Sequence, residues 1–156
     1  MHIVGYSFKL IDNSRAKQHI LTYFFAGWNA TALKDLGQKY ALERIPQIIR
    51  PEALKRIQWH LSEGHEVAIV SASPEIWISA WSNTLGIKLI GTLLEENEGN
   101  ITGKYNGLNC HGEEKVSRIK RVFNLEKYDR IYAYGDSPGD QPMLSLADEA
   151  YSRQFS

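Results

Sequence analysis

Apolar residues along this chain follow two different rhythms. Up to about Gly64 they recur at the spacing of one-sided helices. Ala16, Ile20, Tyr23 and Phe24 share one face, and Asn13-Ser14 is placed to cap the helix that carries them. Asn29 opens a second helix with Leu33, Leu36 and Tyr40 on its apolar side, and Pro46 interrupts the pattern. Pro51 suits the first turn of a third helix, with Leu54, Ile57 and Leu61 facing inward and Gly64 as its stop.

Beyond Gly64 short apolar runs alternate with amphipathic stretches. Val67-Ala68-Ile69-Val70 reads as a buried parallel strand that ends at Ser71. A helix follows from Ser73-Pro74-Glu75, with Trp77, Ile78 and Trp81 for packing, and Gly86 ends it. Residues 87–90 predict a strand, and Leu93 to Tyr105 a hairpin around Glu98-Gly99-Asn100. A helix is expected over 113–123, a strand over 131–134, a helix over 141–147 and a last strand over 149–154. Strands alternating with helices predict an α/β fold whose mainly parallel sheet is covered on both faces.

Composition narrows the class. The 156 residues fit one domain with a small appendage, and 43% hydrophobic with 23% charged residues is ordinary for a soluble globular chain. A net charge of zero argues against a dedicated nucleic-acid or anionic-membrane surface. No apolar run approaches the roughly 20 residues of a membrane span. Cys110 stands alone, which excludes an internal disulfide and fits the reducing cytoplasm, the expected location.

In open parallel sheets, ligands gather beyond the carboxyl ends of the strands. Ser71 ends one predicted strand, Asp136, Gly139 and Asp140 follow another, and Lys115 starts the helix between them. A hydroxyl, a cation and a carboxylate pair suit a phosphate and a hard divalent metal such as Mg²⁺. Taken singly, each has an ordinary explanation as a strand-end serine, a solvated lysine or a turn cap, with Ser73 a helix cap before Pro74. His60, His65 and His111 lack metal-ligand spacing and are expected at the surface or in packing.

The order of these motifs resembles the haloacid dehalogenase-like (HAD) phosphatases, in their phosphoserine-phosphatase-like branch. Residues 67–73 resemble the family's second motif, Lys115 in Gly112-Glu113-Glu114-Lys115-Val116 the third, and Gly135-Asp136-Ser137-Pro138-Gly139-Asp140 the acidic fourth. Stretches such as Arg50-Pro51-Glu52, Thr102-Gly103-Lys104 and Asn109-Cys110 also match, so the likeness covers nearly the whole chain. It implies a Rossmann-like core over 65–156 and part of a helical cap over 1–64, with the four tryptophans packed between them. It further implies Mg²⁺-dependent hydrolysis of a small phosphorylated metabolite. Ser71 would bind a phosphoryl oxygen, Lys115 would offset charge, and Asp136 and Asp140 would serve the metal. Gly139 stands where some relatives place Asn, so one polar contact is expected to be absent.

One part of the family pattern is not found. The nucleophile is the first aspartate of an Asp-x-Asp on the central first strand, and no Asp-x-Asp occurs in this chain. The expectation is a core without its first strand, weakened metal binding and unpaired backbone groups, met by a rearranged sheet, by pairing with a partner chain or by a poorly stable fold. Leu10-Ile11-Asp12-Asn13-Ser14 is the one alternative, as a degenerate first motif. The competing reading is a non-catalytic remnant, or half of a split enzyme, that keeps a phosphate- and metal-binding pocket.

Overall fold

The structure, a computed structural model, describes residues 13–153. Among the described residues four helices come first: α1 (Asn13–Phe25), α2 (Ala30–Glu43), the short α3 (Ile45–Ile48) and α4 (Pro51–Ser62). Asn29 caps α2 by accepting the N–H of Ala32 at 3.0 Å. Pro46 does not simply break the helical pattern. It sits in the first turn of α3, where its missing N–H costs no hydrogen bond.

The strand–helix part runs β1 (Ala68–Pro74), a 3₁₀ turn (Glu75–Trp77), α5 (Ser79–Thr84), β2 (Lys88–Thr92), β3 (Leu94–Asn97), β4 (Asn100–Tyr105), α6 (Glu113–Val122), β5 (Tyr132–Gly135), α7 (Gln141–Leu144) and β6 (Glu149–Ser152). Ser73 caps nothing. It lies inside β1, and its N–H donates to Ser71 Oγ at 3.1 Å. The last helix begins at Gln141 as expected, after a 3₁₀ turn at Pro138–Asp140, but keeps only four residues and ends at Leu144.

The described strands form three two-stranded sheets. β1 pairs in parallel with β2, β5 pairs in parallel with β6, and β3–β4 is an antiparallel hairpin. Among the described residues, β1 and β5 each have one hydrogen-bonded neighbour. The expectation that residues 67–70 lie in a fully buried strand is accordingly not met: Val67, Ala68, Ile69 and Val70 are half-buried.

The helices pack on the hairpin. Gly27 N–H donates to Ile101 O, Ala30 N–H to Gly99 O and Ile101 N–H to Trp28 O, each at 2.8 Å. Ala30, Leu33 and Ile101 form a buried cluster, flanked by Phe25, Ile76, Trp77 and Leu94. Gly103 has φ +81°, and a Cβ there would collide with the Thr22 backbone, so glycine lets α1 lie directly on β4. Trp81 is buried and Trp77 packs on Phe25 and Tyr40, whereas Trp28 and Trp59 stay exposed.

His60 seals the contact between α4 and β5. Its Nδ1 lies 2.8 Å from His65 Nδ1, and its Nε2 lies 3.0 Å from Tyr134 Oη. Burial, the adjacent His65 and the Arg56 guanidinium together lower its affinity for a proton. A histidine depressed in the fold stabilises it above its ordinary value of 6.5 and loses that contribution as pH falls through 6.5 toward the lower folded value. Melting temperature is therefore expected to drop as pH is lowered from 7.5 to 5.5, and His60→Phe to flatten that slope, as circular dichroism melts at several pH values would show.

Candidate active site

The carboxyl ends of β1 and β5 open on one cleft of about 510 Å³. β1 contributes Val70 to Ser73, β5 and the loop after it contribute Tyr134 to Ser137, and α6 contributes Lys115. Lys17 from α1 and Arg50 and Ala53 from the start of α4 complete one side, with Asp140, Met143, Tyr151 and Arg153 on the other. All four residues singled out in the sequence, Ser71, Lys115, Asp136 and Asp140, line this cleft.

Lys115 is 6% exposed, and its ammonium donates to Val70 O at 3.0 Å and to Asp140 Oδ1 at 2.6 Å. The second Asp140 oxygen accepts from the backbone N–H groups of Asp136 and Ser137 and from the Ser137 hydroxyl. Burial alone would raise the Asp140 carboxyl. Hydrogen bonds from Lys115 and Ser137 outweigh it and hold the group at about 2. Gly135 is required here because a Cβ would fall 2.5 Å from that of Asp140. The turn over 138–140 can thus fold back on the end of β5.

Asp136 differs from Asp140. Its side chain is 62% exposed, faces the cleft and lies 3.8 Å from an Arg50 guanidinium nitrogen. Ser71 is half-buried. Gly139 is buried, and a Cβ there would collide with the His111 imidazole, so His111 fills the space a side chain at 139 would take.

The loop before α6 is tied to the strands. Thr92 Oγ1 lies 3.0 Å from Ala72 O and 2.9 Å from Asn109 Oδ1, and accepts the Cys110 N–H at 3.0 Å. Cys110 is fully buried, as its small apolar side chain predicts, and burial pushes its thiol up, away from the reactive thiolate. Sequence reasoning did not single out Lys17 or Arg153, since only folding brings them to the cleft.

Among the described residues, no three His, Cys, Asp or Glu side chains converge as a metal cage. Asp12, the alternative nucleophile, lies outside the described residues. No helix among the described residues is long and apolar enough to cross a membrane.

Comparison with known proteins gives a consistent result. Residues 3–145 match the family model described as haloacid dehalogenase-like hydrolase. The chain is 32% identical to protein CicA of Caulobacter vibrioides, over 92% of this chain and 65% of that one. It is 30% identical to a histidinol-phosphatase of Neisseria meningitidis, over 80% of this chain and 59% of that one. It spans less than two thirds of either relative. Its fold matches a probable phosphoserine phosphatase from Vibrio cholerae with a TM-score of 0.70 and 14% identity, covering 97% of this chain and 50% of that one.

The Lys115–Asp140 pair supplies the site's own test. Asp140→Asn leaves a buried ammonium without its counter-charge and is expected to cost about 3 kcal/mol at neutral pH. The carboxyl lies below its ordinary 3.8, so its contribution is complete above 3.8 and is lost as pH falls through about 2. The stability gap between wild type and variant, read by urea unfolding, should therefore narrow from pH 4 downward.

Proposed function

The chain belongs to the haloacid dehalogenase-like hydrolase family, and we propose that its cleft is the phosphoryl-binding site of a Mg²⁺-dependent phosphate monoester hydrolase. The observation that carries this reading is the buried Lys115–Asp140 pair, which holds Ser71, Lys115 and Asp136 around one cleft. The names of the histidinol-phosphatase relative and of the phosphoserine phosphatase sharing the fold support the same class of substrate.

The Ser71 hydroxyl can donate to a non-bridging phosphate oxygen. Lys115, oriented by Asp140, offsets the negative charge that spreads over the phosphoryl oxygens as the ester bond loosens. Asp136 is the exposed carboxylate and the residue that would hold the metal. One carboxylate together with phosphate oxygens and water is a usual donor set for Mg²⁺, which would add charge neutralisation at the phosphoryl group. Asp140, with both oxygens engaged by protein donors, serves the metal by fixing Lys115 and the loop that carries Asp136.

A second reading is favoured by the sheet. β1 and β5 flank the cleft, are not paired with each other among the described residues, and no Asp-x-Asp occurs in the chain. In this reading the polypeptide is a phosphate- and metal-binding module whose central strand and nucleophile come from outside the described residues, a partner chain being one source.

The second reading predicts that, with a generic aryl phosphate and Mg²⁺, the folded chain alone turns over no faster than its Asp136→Ala variant. Turnover that disappears in the variant would place a nucleophile within these residues, with Asp12 the first to substitute.

A further inference from the structure

Lys17 is a cleft cation that no carboxylate among the described residues answers. It comes from α1, outside every motif that frames the site, and is half-buried. Its ammonium donates to Ala72 O at 2.6 Å, one residue beyond Ser71. Among the described residues no carboxylate pairs with it, whereas Lys115 has Asp140 and Arg50 faces Asp136.

A half-buried cation held by one neutral carbonyl is costly unless an anion joins it. The cost is visible here: burial, then repulsion from Lys115, lowers the affinity of Lys17 for its proton. An ammonium carries three donors, and Ala72 O uses one. A tether alone would be served as well by a neutral amide. A second ammonium crowded beside Lys115 suits an anion seated between them.

We propose that Lys17 is a second cationic contact for the phosphoryl group, placed beside Ser71 at the carboxyl end of β1 by a helix outside the sheet. It rests on the phosphoryl-site reading above. The contact is to a phosphate oxygen rather than to the ester's organic part, because the ammonium sits at residue 72 and feels Lys115. α1 thereby contributes a charge of its own to the site.

The test is a titration of the full chain with inorganic phosphate, followed by NMR, for wild type, Lys17→Gln, Lys17→Arg and Ser71→Ala. Gln can keep the hydrogen bond to Ala72 O without the charge. Lys17→Gln is expected to bind phosphate about tenfold more weakly, the loss of one charge-assisted hydrogen bond, while Lys17→Arg stays near wild type. In selectively labelled wild-type protein the Lys17 Nζ resonance should shift on saturation, a readout that needs no substitution. Unchanged affinity in Lys17→Gln with weakened binding in Ser71→Ala would overturn the proposal and leave the site reading standing, Lys17 then being a tether. Wild-type protein that binds no phosphate would overturn the site reading, and the proposal with it.

Discussion

The cleft depends on one ion pair. Lys115 reaches from α6 to Val70 O on one parallel strand pair and to Asp140, which is wired to the end of the other. The two pairs share no backbone hydrogen bonds among the described residues, and these side-chain contacts link them. Both partners are buried, and breaking such a pair generally costs about 3–5 kcal/mol. The position of Ser71 relative to Asp136 is set by this bridge.

The carboxylates on either side of Ser137 divide the work by environment. Asp140 is shielded and surrounded by donors, so it is a fixed negative charge that orients its neighbours. Asp136, four residues earlier, points into the cleft with most of its surface open to solvent and is the group able to exchange partners. Gly135 and Gly139 make this arrangement possible by leaving room, one for Asp140 itself and the other for His111. A side chain at either glycine would press on the loop that carries both carboxylates.

The helical part contributes to the site as well as covering it. α1 is held to β4 through Gly103, and α2 through the small buried cluster of Ala30, Leu33 and Ile101. That packing brings Lys17 to the end of β1. On the far side, His60, His65 and Tyr134 seal α4 to β5, so that Arg50 and Asp136 meet across the cleft. The charge of the cleft is therefore assembled from elements far apart in the chain.

The sequence by itself determined most of the elements and the four motif residues. Helical and strand periodicities report which face of each segment is apolar, and that depends on neighbours only a few positions away. Ser71, Lys115, Asp136 and Asp140 were legible because each sits at a predicted strand end or helix start, where chemistry concentrates in such folds. What only the tertiary structure decided depends on distance in space. That Asp140 spends both oxygens on protein donors, that His60 faces His65 and Tyr134, that His111 fills the room beside Gly139, and that Lys17 reaches Ala72 O are contacts between residues whose spacing in the chain carries no local signature. The half-burial of β1 belongs with them. An apolar run states that a strand wants to be covered, and only the arrangement of its neighbours decides whether it is.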